Sequence, residues 1–348
     1  MQSAKDFKRE PKMDISDRKR MILTAVIRLY TDSGDPVGSN ILNHFLKTLS
    51  VSSATLRNEM AELTDLGLLM QPYTSAGRIP TQLGLRYYID NLMNLYTPTT
   101  LERTSIFQTV ASMDNDPEKA SESSAKALAA MFGLSAVAMT PHSNTPHLVH
   151  FKLLRVGRFS LAVIGVSNAG SVKTRVCRID QDISDKGIGT VEMVLNENLV
   201  FVSSEDITLH LEDLINIRLG ILKKVAAPIL SSAKDLIESL SDTRLYADGE
   251  QYLLHFRDMD GQIGSYLEFI NDRQRMIRFL LETKGPLSIC VGEEIDPSLP
   301  KMGMIVGTFR QGSLAGRLCV AGPSRINYAY IIPRFVYFCD SLSEMLTA

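Results

Sequence analysis

Residues 52–81, SSATLRNEMAELTDLGLLMQPYTSAGRIPT, limit more than any other stretch what this chain can become. Ser52 and Ser53 can cap a helix, and Leu56, Met60, Leu63 and Leu66 follow at steps of four, three and three, along one helical side. Gly67 supplies a stop. Leu68, Leu69 and Met70 then predict a short strand, residues 72–77 a small-residue turn, and Arg78 with Ile79 a return strand before Pro80. The side of the helix opposite the leucines carries Ala54, Asn58 and Ala61, flanked by Thr55 and Arg57. Small residues let a helix lie close to another surface, and Asn and Arg pair bidentately with adenine and guanine in a major groove. An ordinary solvated helix face can carry the same residues, so the neighbouring sequence has to decide.

Upstream, Ser16 is placed to cap a helix in which Met21, Ile22, Ala25, Val26 and Leu29 recur at helical spacing until Asp32, Ser33 and Gly34 stop it. A turn over 35–39 ends on Ser39, read as a capping serine. A second helix follows, with Ile41, Leu42, Phe45, Leu46 and Leu49 facing inward, as far as Ser50. Three helices followed by strand, turn and strand predict a winged helix-turn-helix. Thr81 then caps a further helix running to Tyr96, with Leu85, Tyr88, Ile89 and Leu92 as its apolar stripe. In such a head Asn58 and Arg57 face base edges, and Ser53 and Thr55 meet phosphate or bases at the helix amino end. Thr74, Ser75 and Arg78 contact the DNA backbone from the wing, and Ser39 and Ser52 complete the candidate DNA-binding set.

Charge gives modest support. The whole chain carries a formal net charge of −2, which excludes binding through overall positive charge, but residues 1–96 hold 12 Lys and Arg against 10 Asp and Glu. The length of 348 residues suits about two to three domains, and 45% hydrophobic residues supply ample core. Cys177, Cys290, Cys319 and Cys339 form no CxxC pair and read as buried thiols of a reducing compartment. The first residues lack an apolar signal core and no apolar run reaches the length of a membrane span, so a cytoplasmic protein without a membrane partner is expected.

Beyond the head, residues 1–12 read as a loose tail at one end and 97–116 as a connector that turns helical at Leu101. A helix over 117–131 precedes short apolar or alternating segments at 134–139, 148–156, 159–166 and 172–179, which predict an antiparallel sheet. Helices follow at 187–200 and across 205–240 with a break near Pro228, then a mixed region with a turn at 247–249. A single helix is expected over 267–283, with Leu267, Ile270, Ile277, Leu280 and Leu281 as its apolar positions. Strands return at 287–291, 303–308 and 314–320, and an apolar helix over 328–346 closes the chain. Strands, a helical section and strands again describe an α+β protein whose sheet domain carries an insertion.

Several spaced blocks carry a resemblance. PVGS at 36–39, SSATLRNEMAEL at 52–63, LG at 66–67, QPYTSAGRIPT at 71–81 and RYYID at 86–90 resemble the signature of the HrcA family, bacterial heat-inducible transcription repressors. GEEIDPSLP at 292–300 and AGPSRINY at 321–328 extend the likeness toward the carboxyl end, with departures at Asn40, Tyr73 and Leu85. The resemblance implies a winged head over 13–96, a GAF-like domain made of 97–203 and 268–348, and a helical dimerisation domain inserted at 204–267. It also implies a homodimer on double-stranded DNA at an inverted-repeat operator of the CIRCE type upstream of chaperone genes. The GroEL chaperonin is the implied partner that keeps the repressor competent.

No cofactor and no catalytic residue is expected. The glycines near Gly303, Gly307 and Gly312 lack the Lys-Ser/Thr ending of a phosphate loop, no GxSxG elbow occurs, and no Cys sits in a nucleophile motif. His142, His147 and His150 are closely spaced but have no Cys or carboxylate motif beside them, which argues against a metal. One alternative remains open at this stage: a metabolite-sensing regulator whose GAF-like domain holds a ligand, with Cys177, Arg175 or Arg178 lining the pocket.

Overall fold

Ser16 opens the first helix, α1 (Asp17–Ser33), by accepting the backbone N–H of Lys19. Gly34 closes it at φ 73° with its own N–H on the Tyr30 carbonyl. The computed structural model of the chain describes residues 15–46, 52–142, 147–168, 170, 172–202, 206–239, 243–259 and 261–347. Helices α2 (Ser39–Phe45) and α3 (Ser53–Asp65) pack on α1, a hairpin of β1 (Leu69–Met70) and β2 (Ile79–Pro80) follows, and α4 (Gln82–Asn91) ends the head. Ile22, Leu23, Val26, Leu42, Leu56, Leu63 and Leu68 are fully buried between these elements.

Four expectations for the head change. The cap of α2 is Gly38, without a side-chain bond, so Ser39 is the first helical residue and is itself buried. Ile41 and Phe45 are exposed, because a helix of 7 residues buries only the narrow face that carries Leu42 and Leu46. Leu66 is 38% exposed, since it caps α3 after the helix has turned away, and Leu68 fills the core in its place. Helix α4 ends at Asn91, not Tyr96, and Tyr96 instead donates its N–H to the Ala329 carbonyl at 3.1 Å. The expected tail at 1–12, and Leu49 and Ser50, lie outside the described residues.

The body begins with α5 (Thr100–Ala111) and α6 (Pro117–Phe132), each closed by local chemistry. A Thr99/Glu102 capping box opens α5, while α6 starts with Asp116 before Pro117 and ends at Gly133. Five antiparallel strands then form one sheet in the order β7-β3-β10-β9-β8. They are β3 (Ser135–His142), β7 (Leu245–Asp248), β8 (Leu287–Val291), β9 (Met302–Gln311) and β10 (Leu314–Pro323). One face packs on α6 and on the last helix, α12 (Tyr328–Thr347). The other face is covered by the 3-10 turn 250–255 and by α10 (Ile263–Asn271) and α11 (Arg273–Glu282), around Tyr266, Phe269 and Met276.

A second sheet, β4 (Leu148–Gly157), β5 (Ser160–Ser167) and β6 (Val172–Arg178), lays one face on α7 (Asp185–Leu199), α8 (Leu209–Leu219) and α9 (Lys223–Glu238). The early strands therefore divide: 135–142 joins the late strands, and 148–178 stands apart. The second sheet shares one core with α7, α8 and α9, so a cut at 203/204 runs between α7 and α8, which pack on each other.

Three local readings also give way. The helical break sits at Gly220, φ 53° and ψ −119°, while Pro228 lies inside α9. The helix expected over 267–283 is two helices parted at Asp272, which caps α11 by accepting the N–H of Arg275. Leu281 is accordingly exposed, and Met276 with Leu280 does the packing. The mixed region at 245 opens with β7, a short edge strand paired with β3.

Arg334 of α12 is buried beside α5, where its Nε donates to Glu102 Oε1 at 3.1 Å and its Nη1 to the Tyr330 carbonyl at 2.8 Å. The Arg334 hydrogen bond, with the Thr99 N–H second, lowers the Glu102 carboxyl from its ordinary 4.5 to about 2. A depressed carboxyl stabilises the fold above its unfolded pKa, and that contribution disappears as pH falls through the folded value. Acid unfolding followed by circular dichroism should thus show a loss between pH 4.5 and about 2 that Glu102→Gln removes, with lower stability at neutral pH in the variant.

Candidate nucleic-acid interface

Helix α3 is anchored on one side and open on the other. Ser52 Oγ accepts the Thr55 N–H at 3.1 Å and lies 3.0 Å from Thr55 Oγ1, so the first turn is closed by side chains on its own strand of sequence. Asn43 Nδ2 of α2 donates to Ser53 Oγ at 3.0 Å and ties the two helices together. Leu56, Met60 and Leu63 are buried, whereas Ala54, Arg57 and Asn58 are exposed. Neither Arg57 nor Asn58 is engaged by another described side chain.

The hairpin next to α3 is held from within. Gln71 Nε2 donates to the carbonyls of Thr74 at 2.8 Å and Ala76 at 3.0 Å, which shapes the tip and leaves the Thr74 and Ser75 side chains exposed. Val37, ahead of α2, pairs with Arg78 through two backbone bonds of 2.9 Å and adds a third short chain to the hairpin. Gly77 permits this approach, because a Cβ there would lie 2.3 Å from the Val37 carbonyl carbon.

Of the residues named from sequence, Thr55, Arg57, Asn58, Thr74 and Ser75 thus share the accessible rim of α3 and the hairpin, with Ser52 at the helix start. Ser39 is buried at the start of α2 and does not belong to that rim. Ser53 is occupied by Asn43, and Arg78 donates from Nε to Thr64 Oγ1 at 3.0 Å at the base of the hairpin rather than its tip.

Lys19 and Arg18 of α1 escape a sequence reading. Lys19 Nζ lies 2.7 Å from Glu62 Oε2 and 3.1 Å from Glu59 Oε2, and Arg18 Nη1 lies 3.4 Å from Glu59 Oε1. Hydrogen bonds to Glu62 and then Glu59 raise the Lys19 pKa, so its ammonium stays charged. Glu59 and Glu62 of α3 are therefore matched by cations of α1 before any partner arrives. A signal exists only in retrospect, in the alternation of acids and apolar residues in NEMAEL at 58–63, facing a basic first turn.

Other chemistry finds no purchase. Among the described residues no group of three or more His, Cys, Asp or Glu side chains converges as a metal would need. Burial pushes the Cys290 thiol up to about 11 and raises Cys177, Cys319 and Cys339 as well, so none is a thiolate near neutrality. The expected ligand-pocket residues do not converge: Cys177 is buried in the core of the second sheet, and Arg175 and Arg178 are exposed. Both faces of the five-stranded sheet are packed with side chains. A concavity of about 220 Å³ lies instead at the seam of head and body, between Arg28, Tyr88 and Asn327.

Because Ser52 satisfies an otherwise orphan N–H at the start of α3, Ser52→Ala should lower the stability of the chain by about 0.5–2 kcal/mol, read from denaturant unfolding.

Comparison with known proteins identifies the family. The sequence family described as "HrcA protein C terminal domain" matches residues 118–332. The chain is 30% identical over 342 residues to the heat-inducible transcription repressor HrcA of Desulforudis audaxviator, covering 96% of this chain and 98% of that one. It is 29% identical over 342 residues to the protein of the same name from Syntrophobacter fumaroxidans, with the same coverage. A solved structure described only as a hypothetical protein superposes with a TM-score of 0.64 over 96% of this chain and 99% of that one, at 24% identity, which supports the fold alone. No helix among the described residues is long and apolar enough to cross a membrane. The chain belongs to the HrcA family of heat-inducible transcription repressors, and it is not an enzyme.

Proposed function

We propose that residues 15–91 act as a winged helix-turn-helix whose α3 enters the major groove of double-stranded DNA while the hairpin lies along the backbone. One observation carries this reading: α3 is buried on Leu56, Met60 and Leu63 and leaves Arg57 and Asn58 unengaged beside the exposed hydroxyls of Thr74 and Ser75. In this reading Asn58 and Arg57 meet base edges, and Thr55, Thr74 and Ser75 meet phosphates. Ser52, Ser53 and Arg78 hold the elements that present them.

The chain works as a homodimer on an inverted repeat of the CIRCE type. A head with so few positive charges binds one half-site weakly, and a second head binds at raised effective concentration once the first is seated. The five-stranded sheet with α5, α6 and α10–α12 is the GAF-like body, and 148–238 is the inserted dimerising unit. Supporting that assignment, the outer face of β4-β5-β6 exposes Leu154, Val156, Val172 and Val176, the last at 64%, and α8 exposes Ile217 at 80%. Apolar surface of this kind asks for a partner. An unpaired chain presents the same surface to the GroEL chaperonin, which in this scheme keeps the repressor competent until it dimerises. The packed faces of the five-stranded sheet weigh against the metabolite-sensing alternative.

Titrating the full chain against labelled inverted-repeat and scrambled duplexes across salt concentrations tests the scheme, and equal affinity for both would overturn it. On the operator, Arg57→Ala should cost about 1–3 kcal/mol and relax base preference at one position, whereas Ser75→Ala should weaken all duplexes alike. Lys19→Ala exposes the Glu59 and Glu62 carboxylates beside the groove. It should lower affinity most at low salt, and adding Glu62→Gln should recover part of the loss in the same anisotropy titration.

A further inference from the structure

Helix α1 ends without a cation of its own: its last turn contains no basic residue. The last carbonyls of a helix carry partial negative charge and lack intrahelical donors, so a cation there is stabilising. The body supplies one. Arg325, in the turn between β10 and α12, donates from Nη1 to the Thr31 carbonyl at 2.8 Å, 294 residues away in sequence. Its other edge is a bidentate fork on Asp258, Nε to Oδ2 at 2.7 Å and Nη2 to Oδ1 at 2.8 Å. The guanidinium also lies 5.4 Å from the Phe256 ring centroid and is largely buried. Gly34 makes room for it, since a Cβ at that position would come within 2.9 Å of Arg325 Nη2.

A second guanidinium holds the head from the opposite direction. Arg86 of α4 donates from Nε to Glu294 Oε1 at 3.0 Å, just beyond β8, and from Nη2 to the Ile289 carbonyl at 2.7 Å, within that strand. A head held at one point can swivel in any direction, whereas one held at two keeps only rotation about the line through them, which the apolar core shared by head and body opposes. Asp258 lies on 243–259, the segment by which the chain returns from the unit formed by 148–238, so the orientation of the head is coupled to that segment.

We infer that Arg325 is the positioning residue of the head: it caps α1 from the body, is aimed by Asp258, and fixes the angle at which α3 is presented. This rests on the operator reading above, because for two heads on one palindrome a fixed angle means a fixed half-site spacing. Arg325 itself touches no DNA.

The test uses the full chain and a set of inverted-repeat duplexes whose central spacer is varied over about half a helical turn. Wild type should prefer its best spacing by about tenfold or more, and Arg325→Gln should flatten that preference to about threefold, with affinity for an isolated half-site unchanged. Asp258→Asn, which keeps the cation but loosens its fork, should flatten it partly and serves if Arg325→Gln does not fold. Spin labels at Asp65 and Lys301 give an operator-independent measurement: one narrow distance distribution in wild type, a broader one in either variant. Unchanged spacing preference or an unchanged distribution in the folded variants would overturn the inference. Wild-type binding that does not distinguish operator from scrambled DNA would overturn the operator reading instead, and the spin-label distances would then decide the positioning role alone.

Discussion

Helix α3 has only 13 residues and has to be held by one face so that the other stays empty. Everything else in the head follows from that division. Three buried side chains, Leu56, Met60 and Leu63, fix the helix against its neighbours, and burying each contributes roughly 1.5–3 kcal/mol before the entropy of ordering is set against it. The remaining constraint is rotational: a helix held only by apolar contacts could roll by a few tens of degrees. The Asn43–Ser53 bond at its start and the Arg78–Thr64 bond near its end remove that freedom, since each pins a polar atom on a flank of the apolar face. Residues first read as DNA ligands thus matter by aiming other residues.

Electrostatics sets the second requirement. A helix carrying Glu59 and Glu62 would repel a polyanion if those carboxylates were free. Their pairing with Lys19 and Arg18 is partly exposed and contributes little to stability on its own. Its weight lies in the local field, because each carboxylate left alone near a phosphate row adds repulsion within the Debye length of about 10 Å. The small positive balance of the first 96 residues is therefore less informative than its arrangement: cations of α1 are spent on Glu59 and Glu62, which leaves Arg57 as the open cation on the exposed face.

What the sequence shows and what it hides divide along sequence distance. Ser16, Ser52, Thr81, Asp116 and Gly133 mark helix ends legibly because caps act over three or four residues. The strands 148–157, 160–167 and 172–178 are legible for the same reason, as alternation between turn signals. Their separation from 135–142 is not, since pairing β3 with β10 requires contact between Ala138 and Leu318. The edge strand β7 has four half-buried or exposed residues and no alternation to find. Asp272 reads as one polar residue within a helix, although an Asp before a basic, apolar run is an N-cap in waiting. Of the candidate site, α3 and the hairpin tip were legible. The demotion of Ser39 was not, because it depends on where α2 begins to within one residue.

The two sheets of the body differ in what they leave uncovered. The five-stranded sheet has no free face: Phe335 and Phe338 fill one side and Tyr266 and Phe269 the other, all essentially solvent-free. Opening a cavity among such side chains costs several kcal/mol, which a small ligand would have to offset. The second sheet is different, because β4, β5 and β6 have a helix layer on one side only and expose Leu154, Val156 and Val176 on the other. A sheet face of that kind is stable in water at a cost that association removes. The segment that joins this sheet back to the body carries Asp258, and Asp258 grips the arginine that caps α1.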